Sequence, residues 1–287
     1  MAVRALVVGG TSGIGFGIAC RLAAQDASSS IIISGRTKPQ NLPHSNLDFR
    51  PLDATSMRRI KQYTDNLKSS LTRKLEFLVM TQGIMTTDGR TETSEGIDRK
   101  MALHYYGKQL LIRELLPALE DDAKVIIVFD ALSGNPSKMV WEDLGLKTHF
   151  SLANAANHCM TMNDAMVQYF AAEQKASLQN GGTAKRHFTH AFPGGVNTRL
   201  HRELPWYLRR AGKALLAVAG VSPETCAEHL LSGVEAQLQE DNDNGRFWST
   251  INSKGKIIKN KVACTEGQIE LVATHTWEVV DDALRKV

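Results

Sequence analysis

The stretch from Val3 to Gly15 reads VRALVVGGTSGIG, and it constrains the fold more than any other segment. The apolar residues Ala5, Leu6, Val7 and Val8 suit a strand buried on both faces, as in a parallel sheet covered by helices. Gly9, Gly10, Gly13 and Gly15 then allow a tight turn and a close approach to a pyrophosphate, whose charge is met by the amides at the N-terminus of the next helix. Glycine clusters occur in many loops. A strand before and a helix after give the context that makes this one a dinucleotide-binding turn.

The rest of the chain alternates strand-like and helix-like patterns. Strands are expected at Ser30–Ser34, Asp48–Leu52, Leu75–Met80, Lys124–Phe129, Arg186–Ala191 and Arg246–Ile251, with helices at Gly17–Ala24, Ser56–Leu71, Ile97–Leu119 and Ser151–Lys175. Ser222, followed by Pro223 and Glu224, is a helix start: a capping hydroxyl, then proline where its missing N–H costs nothing. Such alternation predicts an α/β fold, a Rossmann-type doubly wound parallel sheet of about seven strands with helices on both faces. Residues 1–287 read as a single domain, without internal repeats or low-complexity tracts.

Composition narrows the partners. The 43% hydrophobic content supports a substantial core, and the net charge of +4 comes from Lys and Arg scattered among acids. No basic stripe is interleaved with aromatics, so nucleic acid is not expected. Cys20, Cys159, Cys226 and Cys264 lie far apart with no metal-binding spacing, as expected of a reduced cytoplasmic protein. The first strand starts at residue 3, which leaves no room for a targeting peptide. No uncharged apolar run approaches the roughly 18 residues of a membrane span, so no membrane partner is expected, and Ala214–Val221 reads as a buried helix or lid.

Further motifs follow the strands in order. Asp53 closes the third strand, Thr81-Gln82-Gly83 follows the fourth, and Pro193-Gly194-Gly195-Val196-Asn197-Thr198 follows the sixth. With Val8-Gly9-Gly10-Thr11-Ser12-Gly13-Ile14-Gly15, these resemble the motifs of the short-chain dehydrogenase/reductase family over nearly the whole chain. The resemblance implies cofactor contacts from Gly9, Thr11, Ser12, Gly13, Ile14, Gly15, Arg36, Asp53, Gln82, Gly83, Gly194, Val196 and Thr198, with Asp53 at the adenine. The run Asn154-Ala155-Ala156-Asn157-His158 resembles fungal members in particular. At the end of the second strand, Ser34-Gly35-Arg36-Thr37-Lys38 offers no acid for a ribose 2′-hydroxyl. Arg36 can instead pair a 2′-phosphate bidentately, with Lys38 adding charge, so NADP(H) is expected rather than NAD(H).

The chemistry departs from the family pattern. Members use a tyrosine as proton donor, a lysine four residues later, a serine that holds the substrate oxygen and an asparagine in a proton relay. The aligned positions here hold Phe150, Asn154, Asp130 and His104. Ser133 lies three residues past Asp130, and Tyr105 and Tyr106 adjoin His104, so those two alignments stay open. No tyrosine occurs between Tyr106 and Tyr169 to replace Phe150.

Three readings fit this pattern. An oxidoreductase could reduce an activated electrophile, an iminium or similar, that needs no proton donor, with Asp130 stabilising the cation. The same fold could run a redox-neutral isomerisation or cyclisation with His104 and Asp130 as acid and base. It could also be an inactive nucleotide-binding protein. Asp130, at the carboxyl edge of the sheet, stands where ligands bind in this architecture, although a strand-ending Asp is commonly a capping group. Asn154 and His158, at i and i+4, could simply bond each other. An enzyme of small-molecule biosynthesis is the expectation. The family likeness makes residues 199–221 a substrate lid, in which Trp206 and Tyr207 suit a small apolar organic substrate. It also implies a homo-oligomer formed through the two long helices.

Overall fold

The computed structural model describes residues 2–198, 200–243 and 245–286, with the side chains of 211, 213–215, 217–219 and 239–243 outside the description. Much of the apolar run Ala214–Val221 therefore lies outside the described side chains.

Seven strands form one sheet in the order β3-β2-β1-β4-β5-β6-β7, and every pairing is parallel. They are β1 (Arg4–Val8), β2 (Ser30–Gly35), β3 (Leu47–Pro51), β4 (Leu75–Met80), β5 (Leu119–Val128), β6 (His187–Ala191) and β7 (Trp248–Ile251). The expected doubly wound α/β sheet is the fold observed. From β1 the chain works outward to β3, then crosses back to β4 on the other side of β1. That reversal opens a crevice at the carboxyl ends of β1 and β4, the place where this architecture binds ligands.

Both faces of the sheet are apolar, which is why its strands read as continuous hydrophobic runs. In β1, Leu6 and Val8 enter one core while Ala5 and Val7 enter the other, the two-residue period of a strand. The first core is covered by α2 (Met57–Ser70), α4 (Gly107–Leu115), α5 (Leu152–Gln179) and α8 (Glu266–Arg285). The second lies under α1 (Gly13–Gln25) and α7 (Pro223–Asp243). The hydroxyls of Ser56, Ser151 and Ser222 each accept from the amide three residues on, so the expected cap at Ser222 is present. No helix among the described residues is long and apolar enough to cross a membrane.

Three local features depart from expectation. The segment read as one helix from Ile97 to Leu119 is a short turn, α3 (Arg99–Met101), a π-helical turn at Ala102–Tyr106, α4, and a 3-10 turn at Leu116–Ala118. Residue 119 already belongs to β5, paired with Leu75. Helix α6 (Trp206–Ala219) begins eight residues before the run Ala214–Val221 that was read as a helix or lid, and α8 was not anticipated. The start of α8 carried a legible signal, since Thr265 and Gln268 form a reciprocal capping box.

Candidate functional site

A cleft of about 490 Å³ opens at the crevice between β1 and β4. Its walls contain Gly9, Thr11, Ser12, Gly13, Ile14, Gly15, Arg36, Asp53, Gln82, Gly83 and Thr198, residues that are dispersed in sequence and were singled out together. Thr37 takes part in the wall and Lys38 does not. Gly194 and Val196 also stand outside it. Gly194 turns its backbone against Ser253, while Val196 is buried and bridges Val221.

The glycine turn is specified by both conformation and space. Gly9 has φ +81°, and a Cβ there would lie 2.6 Å from the Gln82 amide nitrogen and from Thr81 Oγ1. The turn delivers the chain to the start of α1, where Ser12 at the N-cap makes no side-chain capping bond. The first amides of that helix are thus left for an anion in the cleft. Gln82 supplies a second unsatisfied group. It is only 8% exposed, and neither its amide nitrogen nor its amide oxygen has a partner among the described residues. A buried unpaired amide is costly, and a bound polar molecule in the cleft would satisfy it.

Arg36 and Asp53 sit at the far end. Arg36 follows the end of β2 and is about half exposed. Asp53 Oδ1 accepts from the amide and hydroxyl of Thr55 at 3.1 and 2.7 Å. Burial pushes its carboxyl up, but these two bonds, with Arg59 and Arg36 beyond them, hold it below the usual carboxylate range. A dinucleotide therefore fits the residues present: open helix amides for its diphosphate, an unpaired amide at mid-cleft, and a guanidinium at the adenosine end.

The four chemistry candidates lie outside these walls and do not form one cluster. His104 stands behind Gly83, in the middle of the π turn. Its Nε2 accepts from the Ile84 amide at 3.0 Å, and its carbonyl accepts from Asn163 Nδ2. Burial, with Lys108 beside it, drives the imidazole down to about 3. His104 is therefore neutral at physiological pH, with one ring nitrogen already engaged. No hydrogen bond joins His104 to Asp130 among the described residues. Asp130 is half-buried just past β5, and its Oδ1 caps the loop by accepting from the Leu132 and Ser133 amides.

Phe150 packs on the edge of the first core, with the Lys100 ammonium 5.1 Å from its ring. Asn154 donates to the His149 carbonyl, and His158 accepts from the Val140 amide while its other ring nitrogen faces the Leu144 carbonyl. The two do not bond each other. The N-terminal half of α5 instead ties down the loop between β5 and α5. Tyr105 and Tyr106 are buried against Thr276 and His275 of α8, which removes both from the relay position. In the segment between β6 and α7, Leu200 and Glu203 reach the cleft, whereas Trp206 and Tyr207 are 64% and 57% exposed.

Two polar constellations had not been found from sequence. Lys108 is fully buried, and its Nζ donates to the carbonyls of Met80 and Val128 at the carboxyl ends of β4 and β5. Burial lowers this ammonium to about 7. A lysine within the buried run Tyr105–Ile112 was the available signal. Beyond it, Asp164 on α5 receives His190 Nδ1 at 2.7 Å and the Lys261 ammonium, which also holds the Ala131 carbonyl. These residues are far apart in sequence, and no local pattern joins them. No group of three or more His, Cys, Asp or Glu among the described residues is arranged to hold a metal.

The sheet order, the glycine turn and the cleft define a Rossmann-type fold with a cleft at the switch point of its sheet. Residues 3–138 match the model of the short chain dehydrogenase family. An oxidoreductase of the fungus Emericella nidulans, AN1596, is 34% identical over 211 residues, which cover 69% of this chain and 60% of that protein. The chain thus spans about 60% of the length of the first curated relatives it matches. Among solved structures, an NADPH-bound carbonyl reductase from chicken fatty liver superposes with a TM-score of 0.57 at 17% identity, over 90% of this chain and 99% of that one. A Burkholderia multivorans protein with bound NADP gives 0.60 at 15% identity, with the same coverage. Likeness at these identities establishes the fold alone.

Proposed function

We propose that this chain is an NADP(H)-dependent oxidoreductase that reduces an activated electrophile, an iminium or a similar cation, in small-molecule biosynthesis. The observation that carries the cofactor assignment is the cleft: uncapped α1 amides, the unpaired amide of Gln82 and the Arg36 guanidinium line one crevice at the switch point of the sheet. Two solved proteins of the same fold hold NADPH and NADP, which supports this reading.

Bound NADPH would supply the hydride. The α1 amides and the loop from Gly9 to Gly15 would hold its diphosphate, Arg36 its 2′-phosphate and Asp53 its adenine, while Gln82 and Thr198 would offer polar groups from the cleft wall. At the substrate, the residues in the family's tyrosine and lysine positions are Phe150 and Asn154, neither of which provides an acid near neutral pH. Neutral His104, held by Ile84, does not provide one either. An acceptor that is already cationic needs no such donor. Asp130 is the candidate counter-charge, a half-buried carboxylate just past β5 whose Oδ1 caps its own loop.

The test is deuterium transfer. With 4-deuterated NADPH and candidate iminium substrates, label is expected in the product. Unlabelled product formed equally well with NADP+ would overturn hydride transfer and favour redox-neutral catalysis. Asp130→Asn retains an oxygen for the Leu132 and Ser133 amides while removing the charge, so it should slow turnover without unfolding the loop. A wild-type rate in that variant would remove Asp130 from the site.

A further inference from the structure

The lid carries a carboxylate at the place where the cleft expects a phosphate. Glu203 closes the 3-10 turn Leu200–Glu203 and lines the cleft with Arg36. Its Oε1 lies 3.2 Å from Arg99 Nη2 and 3.9 Å from Arg36 Nη2, so one oxygen sits between two guanidinium groups. The three residues come from separate parts of the fold: the end of β2, the start of α3 and the lid. Arg99 also borders the adjoining hollow that contains Asp53 and Thr55, so both arginines face the adenosine end. Among the described residues, neither arginine has another carboxylate within ion-pairing distance.

An isolated exposed ion pair contributes little, and stability alone gives no reason to place one acid across two arginines at a cleft mouth. Two guanidinium groups converging on one anionic oxygen do match the geometry that binds phosphate. We infer that Arg36 and Arg99 together form the 2′-phosphate subsite, and that Glu203 is its resident competitor, a lid carboxylate that the 2′-phosphate must displace from Arg36. This deepens the NADP(H) reading and rests on it. It makes Arg99 a second phosphate ligand. It also makes Glu203 a specificity-determining residue, because a 2′-hydroxyl has no charge with which to displace it. After displacement Glu203 retains Arg99 as a neighbour, so occupancy of the subsite is coupled to the position of the lid.

The experiment is calorimetric titration of the whole chain with 2′,5′-ADP and with 5′-ADP, which differ only in the 2′-phosphate. Wild-type protein, Arg99→Ala, Arg99→Lys and Glu203→Gln are compared, with Arg36→Ala as reference. Wild-type protein should bind 2′,5′-ADP more tightly. Arg99→Ala should weaken that ligand by about tenfold and leave 5′-ADP unchanged, with Arg99→Lys in between, as expected for one charge-assisted hydrogen bond. Glu203→Gln should tighten 2′,5′-ADP by roughly two- to fivefold, the size of a half-exposed ion pair, and the gain should shrink in high salt. If wild-type protein holds both ligands equally, the 2′-phosphate reading itself falls. If it prefers 2′,5′-ADP and loses the preference in Arg36→Ala, while both Arg99 variants and Glu203→Gln behave as wild type, the cofactor reading stands and the two-arginine subsite is overturned.

Discussion

The Ile84 amide donates to His104 Nε2 at 3.0 Å, joining the loop after β4 to the π turn that precedes α4. Within that turn, Asn163 of α5 donates to the carbonyl of His104. His104 therefore serves as a brace behind Gly83, holding the wall of the cleft from inside. π turns recur at functional sites, and here the irregularity brings a histidine against the cofactor loop.

Bracing by a neutral imidazole has a pH signature. His104 is lowered from 6.5 to about 3 and His275 to about 4, both chiefly by burial. Between those values and 6.5 the unfolded chain binds protons that the folded chain refuses, so stability falls as pH drops through that window and is complete above it. Thermal denaturation should show a decline in Tm from about pH 6.5 down to about pH 4, and His104→Gln should flatten part of it. An imidazole resonance of His104 that titrates near pH 6.5 by NMR would contradict the burial and the bond to Ile84.

Arg36→Ala should weaken NADPH by about ten- to a hundredfold while NADH changes little, the effect of losing bidentate charge-assisted bonds to one phosphate. Fluorescence titration of both nucleotides checks it. Equal losses for the two would mean that Arg36 shapes the cleft and does not read the 2′-position.

Lys108 should make the protein more stable in mild alkali. Its ammonium is lowered from 10.5 to about 7 by burial, so the unfolded chain holds the extra proton between those values. Stability then rises with pH across that interval. Lys108→Met loses two bonds to the Met80 and Val128 carbonyls but also removes the cost of burying a charge, so its net effect at pH 7 should be small. What should vanish is the rise between pH 7 and pH 9.5 in Tm, measured against wild-type protein in the same buffers.

Asp164→Ala should be severe, about 3 to 5 kcal/mol by urea denaturation, because it strands a buried histidine and a partly buried lysine at once. Lys261→Met should cost less, since Asp164 keeps His190. Equal costs for the two would show that the lysine, and not the carboxylate, organises the group.

The sequence made its clearest statement where structure follows from neighbours. Ala5–Val8, Ile31–Ile33 and Val125–Val128 are apolar on both alternating faces, so they declare strands covered on two sides, and the parallel sheet follows. The glycine turn was equally plain, because positive φ at Gly9 and Gly13 leaves few other residues possible. Ser56, Ser151 and Ser222 marked helix starts through bonds only three residues long. Eleven of the thirteen proposed cofactor residues meet in one cleft because each ends or follows a strand whose order the family motifs had already indicated. Gly194 and Val196 fall outside it, since where their loop folds back depends on Ser253 and Val221.

The tertiary structure decided what the polar side chains do. Asn154 and His158 satisfy the correct helical spacing, yet each is claimed by a loop carbonyl or amide from elsewhere. Lys108 finds its partners at the ends of two strands, Asp164 gathers residues from β6 and from the segment after β7, and Glu203 crosses the cleft to Arg36 and Arg99. Burial of an apolar face is a local, periodic property, so a sequence can carry it openly. A buried or bridging charge depends on the few groups that the finished fold brings within about 4 Å, at which range an ion pair is significant, and no period along the chain encodes that meeting.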